Sequence, residues 1–185
     1  MHVVGLCGVS GSGKTTLAEG LITALRARGL RVSVVKHAHK RFDIDLPGKD
    51  SWRHRQAGAF EVVIANDHRL AKVREFEAPE ALDVHQMLAE LIDLGPEHWV
   101  LVEGFKHASL PKIEVWRATP GAQALYASGD PHVIALAVKA GAELPASTGL
   151  PVLDLDRPER IVDFLLQDPR RHVYLPPSES APHVD

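Results

Sequence analysis

The sequence predicts a three-layer α/β fold built on a mainly parallel sheet, and three observations carry that prediction. Short apolar runs alternate along the chain with segments of helical periodicity. Several runs, Val3–Cys7 and Trp99–Val102 among them, are apolar at successive positions, as strands covered on both faces must be. A Gly-rich turn links the first such run to the first helical segment.

The elements follow in order. After the strand Val3–Cys7 and the turn, a helix is predicted from Thr15 to Arg28, with Leu17, Leu21, Ala24 and Leu25 on one face. Arg26 and Arg28 suit the negative end of its dipole, and Gly29 is placed to stop it. Val32, Val34 and Val35 mark a second strand. His37–Lys49 is polar and punctuated by Pro47 and Gly48, the composition of a loop. Ser51–Ala57 reads as a short helix, Phe60–Ala65 as a strand and Leu70–Phe76 as an edge strand. Pro79 is expected to open a helix carrying Val84, Met87, Leu88 and Leu91 on one face, with Gly95-Pro96 ending it. Trp99–Val102, Ile113–Trp116, Val133–Val138 and Val152–Leu155 supply further strands. Asp156 and Glu159 have the spacing of a capping box, with Pro158 in the first turn of a last helix through Ile161, Phe164 and Leu165. One domain spanning 1–168 is expected, followed by a loose Pro-rich tail over 169–185.

Composition narrows the function classes. A net charge of −3 argues against a general affinity for nucleic acid. Cys7, the only cysteine, sits in an apolar run and is expected to be a buried filler. No signal pattern opens the chain, and the run Val133–Val138 is too short to span a bilayer. A cytoplasmic protein without a membrane partner is the expectation.

Gly8-Val9-Ser10-Gly11-Ser12-Gly13-Lys14-Thr15 matches G-x-x-x-x-G-K-[ST] without a gap. Gly8, Gly11 and Gly13 allow tight turns that aim backbone N–H groups inward as an anion nest. The helix that follows adds the positive end of its dipole. Lys14 can reach the β- and γ-phosphates of a nucleoside triphosphate, and the Thr15 hydroxyl can ligate Mg²⁺. The predicted architecture is therefore the P-loop NTPase fold.

Two further segments bear on the metal. Trp99–Glu103 is an apolar strand ending in a carboxylate, which at the carboxyl end of a parallel strand faces the ligand crevice. Glu103 can there hold Mg²⁺ through water or orient an attacking water. Between Lys36 and Arg55 the chain concentrates Lys36, His37, His39, Lys40, Arg41, Lys49, Arg53, His54 and Arg55, interleaved with Asp43, Asp45 and Asp50. Asp45 is the favoured second metal contact, with Asp43 the fallback. His37 and His39 read as contacts to an anion rather than zinc ligands, since no cysteine accompanies them.

With these residues in hand, the chain resembles the molybdopterin-guanine dinucleotide biosynthesis adaptor family, protein B of that pathway, from Val4 to about Leu166. The likeness rests on Gly8–Thr15, on Lys36-His37-Ala38-His39 running into Asp43-Ile44-Asp45, on Pro47–Ser51 with Ala57-Gly58-Ala59, and on Val102–His107. The resemblance implies a dimeric GTP-binding protein with weak GTPase activity. It would assist a separate guanylyltransferase that joins a guanine nucleotide to the molybdopterin phosphate. Carried over by position, Gly8, Gly11, Ser12, Gly13, Lys14, Thr15 and Thr16 would hold the GTP phosphates. Thr15 with Asp45 or Glu103 would serve Mg²⁺, and Lys14 and Glu103 would act in hydrolysis.

No N-K-x-D or T-K-x-D guanine-reading segment is present; Val138-Lys139-Ala140-Gly141 comes nearest but lacks the Asp. Guanine preference is thus implied by the resemblance alone. Val9 stands where one ATPase group carries a second lysine, which disfavours that group. Two other functions compete. A small-molecule kinase can use Arg53 and Arg55 as a lid and Glu103 as a base. A metal-delivery GTPase asks for a thiolate or Cys/His cluster that a buried Cys7 does not supply.

Overall fold

The computed structural model describes residues 1–38, 41–91, 95–119 and 121–177. The chain divides into two compact units: Met1–His37 with Asp83 onward, and Ala38–Leu82.

The first unit holds β1 (His2–Cys7), α1 (Lys14–Ala27), β2 (Arg31–Lys36), α3 (Val84–Ala89), β5 (His98–Glu103), β6 (Lys112–Trp116), β7 (Val133–Val138), β8 (Val152–Asp154) and α4 (Pro158–Gln167). The second holds α2 (Asp50–Gln56), β3 (Glu61–Asn66) and β4 (Arg69–Arg74). Six strands of the first unit pair in the order β2-β5-β1-β6-β7-β8, each pairing parallel.

Alternation along the strands splits the core between the two faces of this sheet. Val4, Leu6, Trp99, Leu101, Ile113 and Val115 pack with Leu17, Leu21 and Leu25 of α1 and Ile161, Val162 and Leu165 of α4. Val3, Val100 and Val102 pack on the other side with Val84 and Leu88 of α3. Helix on sheet on helix is the expected layering. The helices α1 and α4 approach closely at Gly20, where a Cβ would stand 2.8 Å from Pro158 Cγ. At the end of α1, Gly29 N–H bonds to Arg26 O and Leu30 N–H to Leu25 O, a Schellman closure with Gly29 at φ 77°. Cys7 is buried as expected, and its thiol is pushed up to about 12, first by burial and then by the Glu114 charge.

Several elements differ from the sequence reading. β3 and β4, expected as a strand and an edge strand, pair with each other as a separate two-stranded antiparallel hairpin. Only Asp67 and His68 join them, and so short a connection permits no parallel crossover. Asn66 Oδ1 closes the turn by accepting from the N–H groups of His68 and Arg69. Helix α3 starts at Val84, not Pro79, because Asp83 and Gln86 form a reciprocal capping box there. The box expected from Asp156 and Glu159 does not form. Helix α4 begins after Arg157, one residue too late for that spacing, and the Asp156 N–H instead donates to Asp154 Oδ1. The expected tail is not loose over 169–174, and its residues 178–185 lie outside the described residues. A 3-10 turn at Pro169–His172 buries His172, and Tyr174 N–H donates to Met1 O while its hydroxyl meets His85 Nδ1 at 2.8 Å. Two rings in this stretch pack on the rest of the first unit, His172 against Trp99 and Tyr174 against His85.

Candidate functional site

The glycine-rich segment lies between β1 and α1 with a backbone that favours glycine at three positions. Gly8, Gly11 and Gly13 have φ of 130°, 76° and 107°. A Cβ on Gly8 would lie 2.3 Å from Val115 O, so β6 crowds the turn from beside β1. Ser12 N–H donates to Val9 O, and the helix ladder opens with Leu17 N–H on Gly13 O. Among the described residues no side chain caps α1, whose first amides have no acceptor within the helix. Ser12 is fully buried and its Oγ has no hydrogen-bond partner among the described residues. Lys14 folds over the loop, its Nζ donating to Gly8 O at 3.0 Å and Val9 O at 2.8 Å. Burial lowers the Lys14 pKa from its ordinary value, while Glu103 opposes that shift.

Parallel register brings the carboxylate to this segment. Glu103 stands opposite Leu6 of β1 and Lys36 of β2, at the carboxyl ends of all three strands. The Thr15 hydroxyl donates to Glu103 Oε1 at 2.9 Å, and Lys36 Nζ approaches Glu103 Oε2 at 3.3 Å. Next in sequence, Gly104 has φ 120° and packs so closely that a Cβ would sit 2.6 Å from His37 Cβ. The His37 N–H donates to Glu103 O, and its ring lies 5.0 Å from that of Phe105.

The predicted residues Gly8, Gly11, Ser12, Gly13, Lys14, Thr15, Thr16 and Glu103 therefore share one end of the sheet. Asp45 belongs to the second unit, where its carboxylate accepts from Ser51 Oγ at 2.9 Å and pairs with Arg55 at 3.2 Å. Burial opposes its charge, yet hydrogen bonds from Ser51, Leu46 N–H and Arg55 hold its pKa below the usual carboxylate value. Asp43 and Glu75 bind the same guanidinium, so Arg55 gathers three carboxylates. His39 and Lys40, named with the basic segment, lie outside the described residues.

Among the described residues, no cluster of three or more His, Cys, Asp or Glu side chains has metal-holding geometry. One hydroxyl and one carboxylate at Thr15 and Glu103 suit a Mg²⁺ that keeps waters and takes its remaining oxygens from a polyphosphate. The orphaned Ser12 Oγ and the uncapped amides of α1 fit the same anion. Sequence reasoning missed the Lys36–Glu103 pair, whose signal lies only in the strand register.

Comparison with known proteins matches the chain to a family. The family model described as Molybdopterin guanine dinucleotide synthesis protein B matches residues 3–139. The molybdopterin-guanine dinucleotide biosynthesis adapter protein of Escherichia coli K12 is 40% identical over 158 residues, covering 85% of this chain and 87% of its own. Its counterpart from Haemophilus influenzae is 40% identical over 168 residues, with 88% and 86% covered. Among solved structures, Bacillus subtilis MobB aligns with a TM-score of 0.69 at 25% identity, covering 90% of this chain and 97% of that one. The MobB homologue of Bacillus stearothermophilus aligns with a TM-score of 0.63 at 25% identity, with 92% and 99% covered. No helix among the described residues is long and apolar enough to cross a membrane. The motifs, the parallel sheet and these relatives agree, and the chain belongs to the molybdopterin guanine dinucleotide synthesis protein B family.

Proposed function

We propose that this protein binds GTP with Mg²⁺ on Gly8–Thr16 and acts as an adapter when a guanine nucleotide is joined to molybdopterin. The observation that carries the site is the meeting of Thr15 and Glu103 at the end of β5, beside a glycine turn that leads into the uncapped start of α1 and buries a Ser12 Oγ without a partner among the described residues. Family membership and the names of the relatives carry the adapter role.

In this reading the amides of Gly11, Gly13, Lys14, Thr15 and Thr16 surround the phosphates, joined by Ser12. Lys14 exchanges its two carbonyl acceptors for β- and γ-phosphate oxygens. Bound Mg²⁺ neutralises charge on the phosphates, with Thr15 and Glu103 as its protein contacts. Asp45 is the alternative contact carried from the sequence, and using it means drawing its carboxylate away from Arg55 or Ser51. Hydrolysis is slow in this account. Glu103 is already shared between Thr15 and Lys36, which weakens it as a base for water. The joining reaction belongs to a separate guanylyltransferase. The exposed charges of the second unit, Arg53 among them, are offered to that partner or to the molybdopterin phosphate. A cytoplasmic homodimer is the proposed working form.

Titrating the purified protein with GTP and with ATP, each with Mg²⁺, tests the reading. Saturable GTP binding, with ATP weaker by about tenfold or more, is expected. Preference for ATP, or binding of neither, overturns it.

A further inference from the structure

The chain lacks the Asp that follows Lys in N-K-x-D guanine readers, yet parallel pairing of the last two strands brings a second turn, one that carries a carboxylate, to the same end of the sheet. Strands β7 and β8 run side by side with Val138 opposite Asp154, and Leu155 N–H donates to Val138 O at 2.8 Å. Both segments turn just beyond this pairing, at Leu155-Asp156 and at Ala140-Gly141, so the turn bearing Asp156 leaves β8 at the same end of the sheet where the turn bearing Gly141, in the place of the reading Asp, leaves β7. The Asp156 turn borders the phosphate loop, since a Cβ on Gly13 would lie 3.6 Å from Leu155 Cδ2.

We propose that Asp156 is the guanine-specificity residue of this site, its carboxylate accepting the N1–H and the exocyclic amino group of the base. This inference rests on the GTP-site reading above and deepens it. Three observations select Asp156 over its neighbours. Its side chain is exposed, and no hydrogen bond or ion pair engages its carboxylate among the described residues. Asp154 is already committed, with Oδ1 accepting the Asp156 N–H at 3.0 Å and Oδ2 3.7 Å from Arg157. The turn after β7 offers no carboxylate until Glu143, whose carbonyl is tied to Trp116 Nε1 at 3.0 Å on the β6 side.

A carboxylate presents acceptors only, so it matches the two adjacent N–H donors of guanine and finds none in that arrangement on adenine. An amide at the same place presents one acceptor and one donor, which suits the N1–H and C2 carbonyl of xanthine. The test measures binding of GTP, xanthosine triphosphate, ATP and inorganic triphosphate, each with Mg²⁺, to wild-type protein and to the Asp156→Asn and Glu143→Gln variants. Asn retains the backbone N–H that Asp154 accepts, so the turn is conserved.

Asp156→Asn is expected to lose GTP affinity by about 10- to 150-fold, the range for hydrogen bonds to a charged group. It should gain xanthosine triphosphate binding and hold inorganic triphosphate unchanged, while Glu143→Gln resembles wild type. Unchanged GTP binding in Asp156→Asn, or the loss appearing in Glu143→Gln instead, overturns this inference and leaves the GTP site standing. A wild-type protein that binds no GTP overturns both.

Discussion

The Thr15 hydroxyl donates a 2.9 Å hydrogen bond to Glu103 Oε1 across a sequence separation of 88 positions. Parallel pairing of β1 with β5 produces the meeting. Register sets Leu6 opposite Glu103, and the glycine turn after Cys7 brings the first turn of α1 back over the strand ends.

Replacing Glu103 by Gln tests its assigned share in hydrolysis. GTP affinity should stay within about threefold, because a neutral amide still accepts from Thr15. Turnover should fall about tenfold or more as the basic oxygen is lost. The Lys36 ammonium left behind is half-exposed and remains hydrated, so melting should move little. Single-turnover hydrolysis with matched thermal melts reads all three, and unchanged turnover makes Glu103 structural.

Gly8→Ala should destabilise the fold by about 2–5 kcal/mol, combining a strained positive φ with overpacking. The added methyl meets Val115 O, a backbone atom of β6 that has no side-chain freedom to move aside. Urea unfolding measures it; a loss under about 1 kcal/mol contradicts the packing described here.

His172 gives stability a pH dependence. Its ring is buried 5.3 Å from that of Trp99, and burial pushes its pKa down from 6.5 to about 4. Between those values the unfolded chain takes up a proton that the folded one refuses. Stability from this group is therefore full above pH 6.5 and is lost as the pH falls toward 4. The shift corresponds to about 3 kcal/mol. Wild-type protein should lose that much more than His172→Phe when urea midpoints at neutral and acid pH are compared. Parallel profiles contradict the assignment.

Buried Lys112 pairs with the partly buried Asp130 at 3.0 Å, and Lys112 Nζ also donates to Lys106 O. Asp130→Ala leaves a buried ammonium without its counter-charge and should cost about 3–5 kcal/mol. Lys112→Met removes the charge and keeps the apolar stem, so its cost should be the smaller of the two. Equal losses in chemical denaturation count against this account of β6.

The parts of the molecule governed by local rules were legible in the sequence. Val3–Cys7, the glycine turn and the Leu17–Leu25 face are adjacent, and periodicity with motif spacing describes them well. Glu103 was visible as a carboxylate closing an apolar run. The elements set by partners distant in the chain were not. Lys112 and Glu114 break the apolar pattern of β6, yet both are buried, because Asp130 and the amides of Leu125 and Tyr126 satisfy them. The β3–β4 turn, Asn66-Asp67-His68-Arg69, lacks the glycine that usually announces a hairpin, and Asn66 closes it with its side chain instead. The Asp83–Gln86 box was readable and was overshadowed by Pro79, a residue suited to helix starts that here opens none.

The most direct test follows the backbone amide resonances of Gly11 to Thr16 by NMR as GTP and Mg²⁺ are added to wild-type protein and to Lys14→Ala. The account predicts large saturable shifts at those amides in the wild type, with binding weakened about 100-fold or more in the variant. Amides there that stay still while resonances elsewhere respond, or a Lys14→Ala variant that titrates like the wild type, would contradict it.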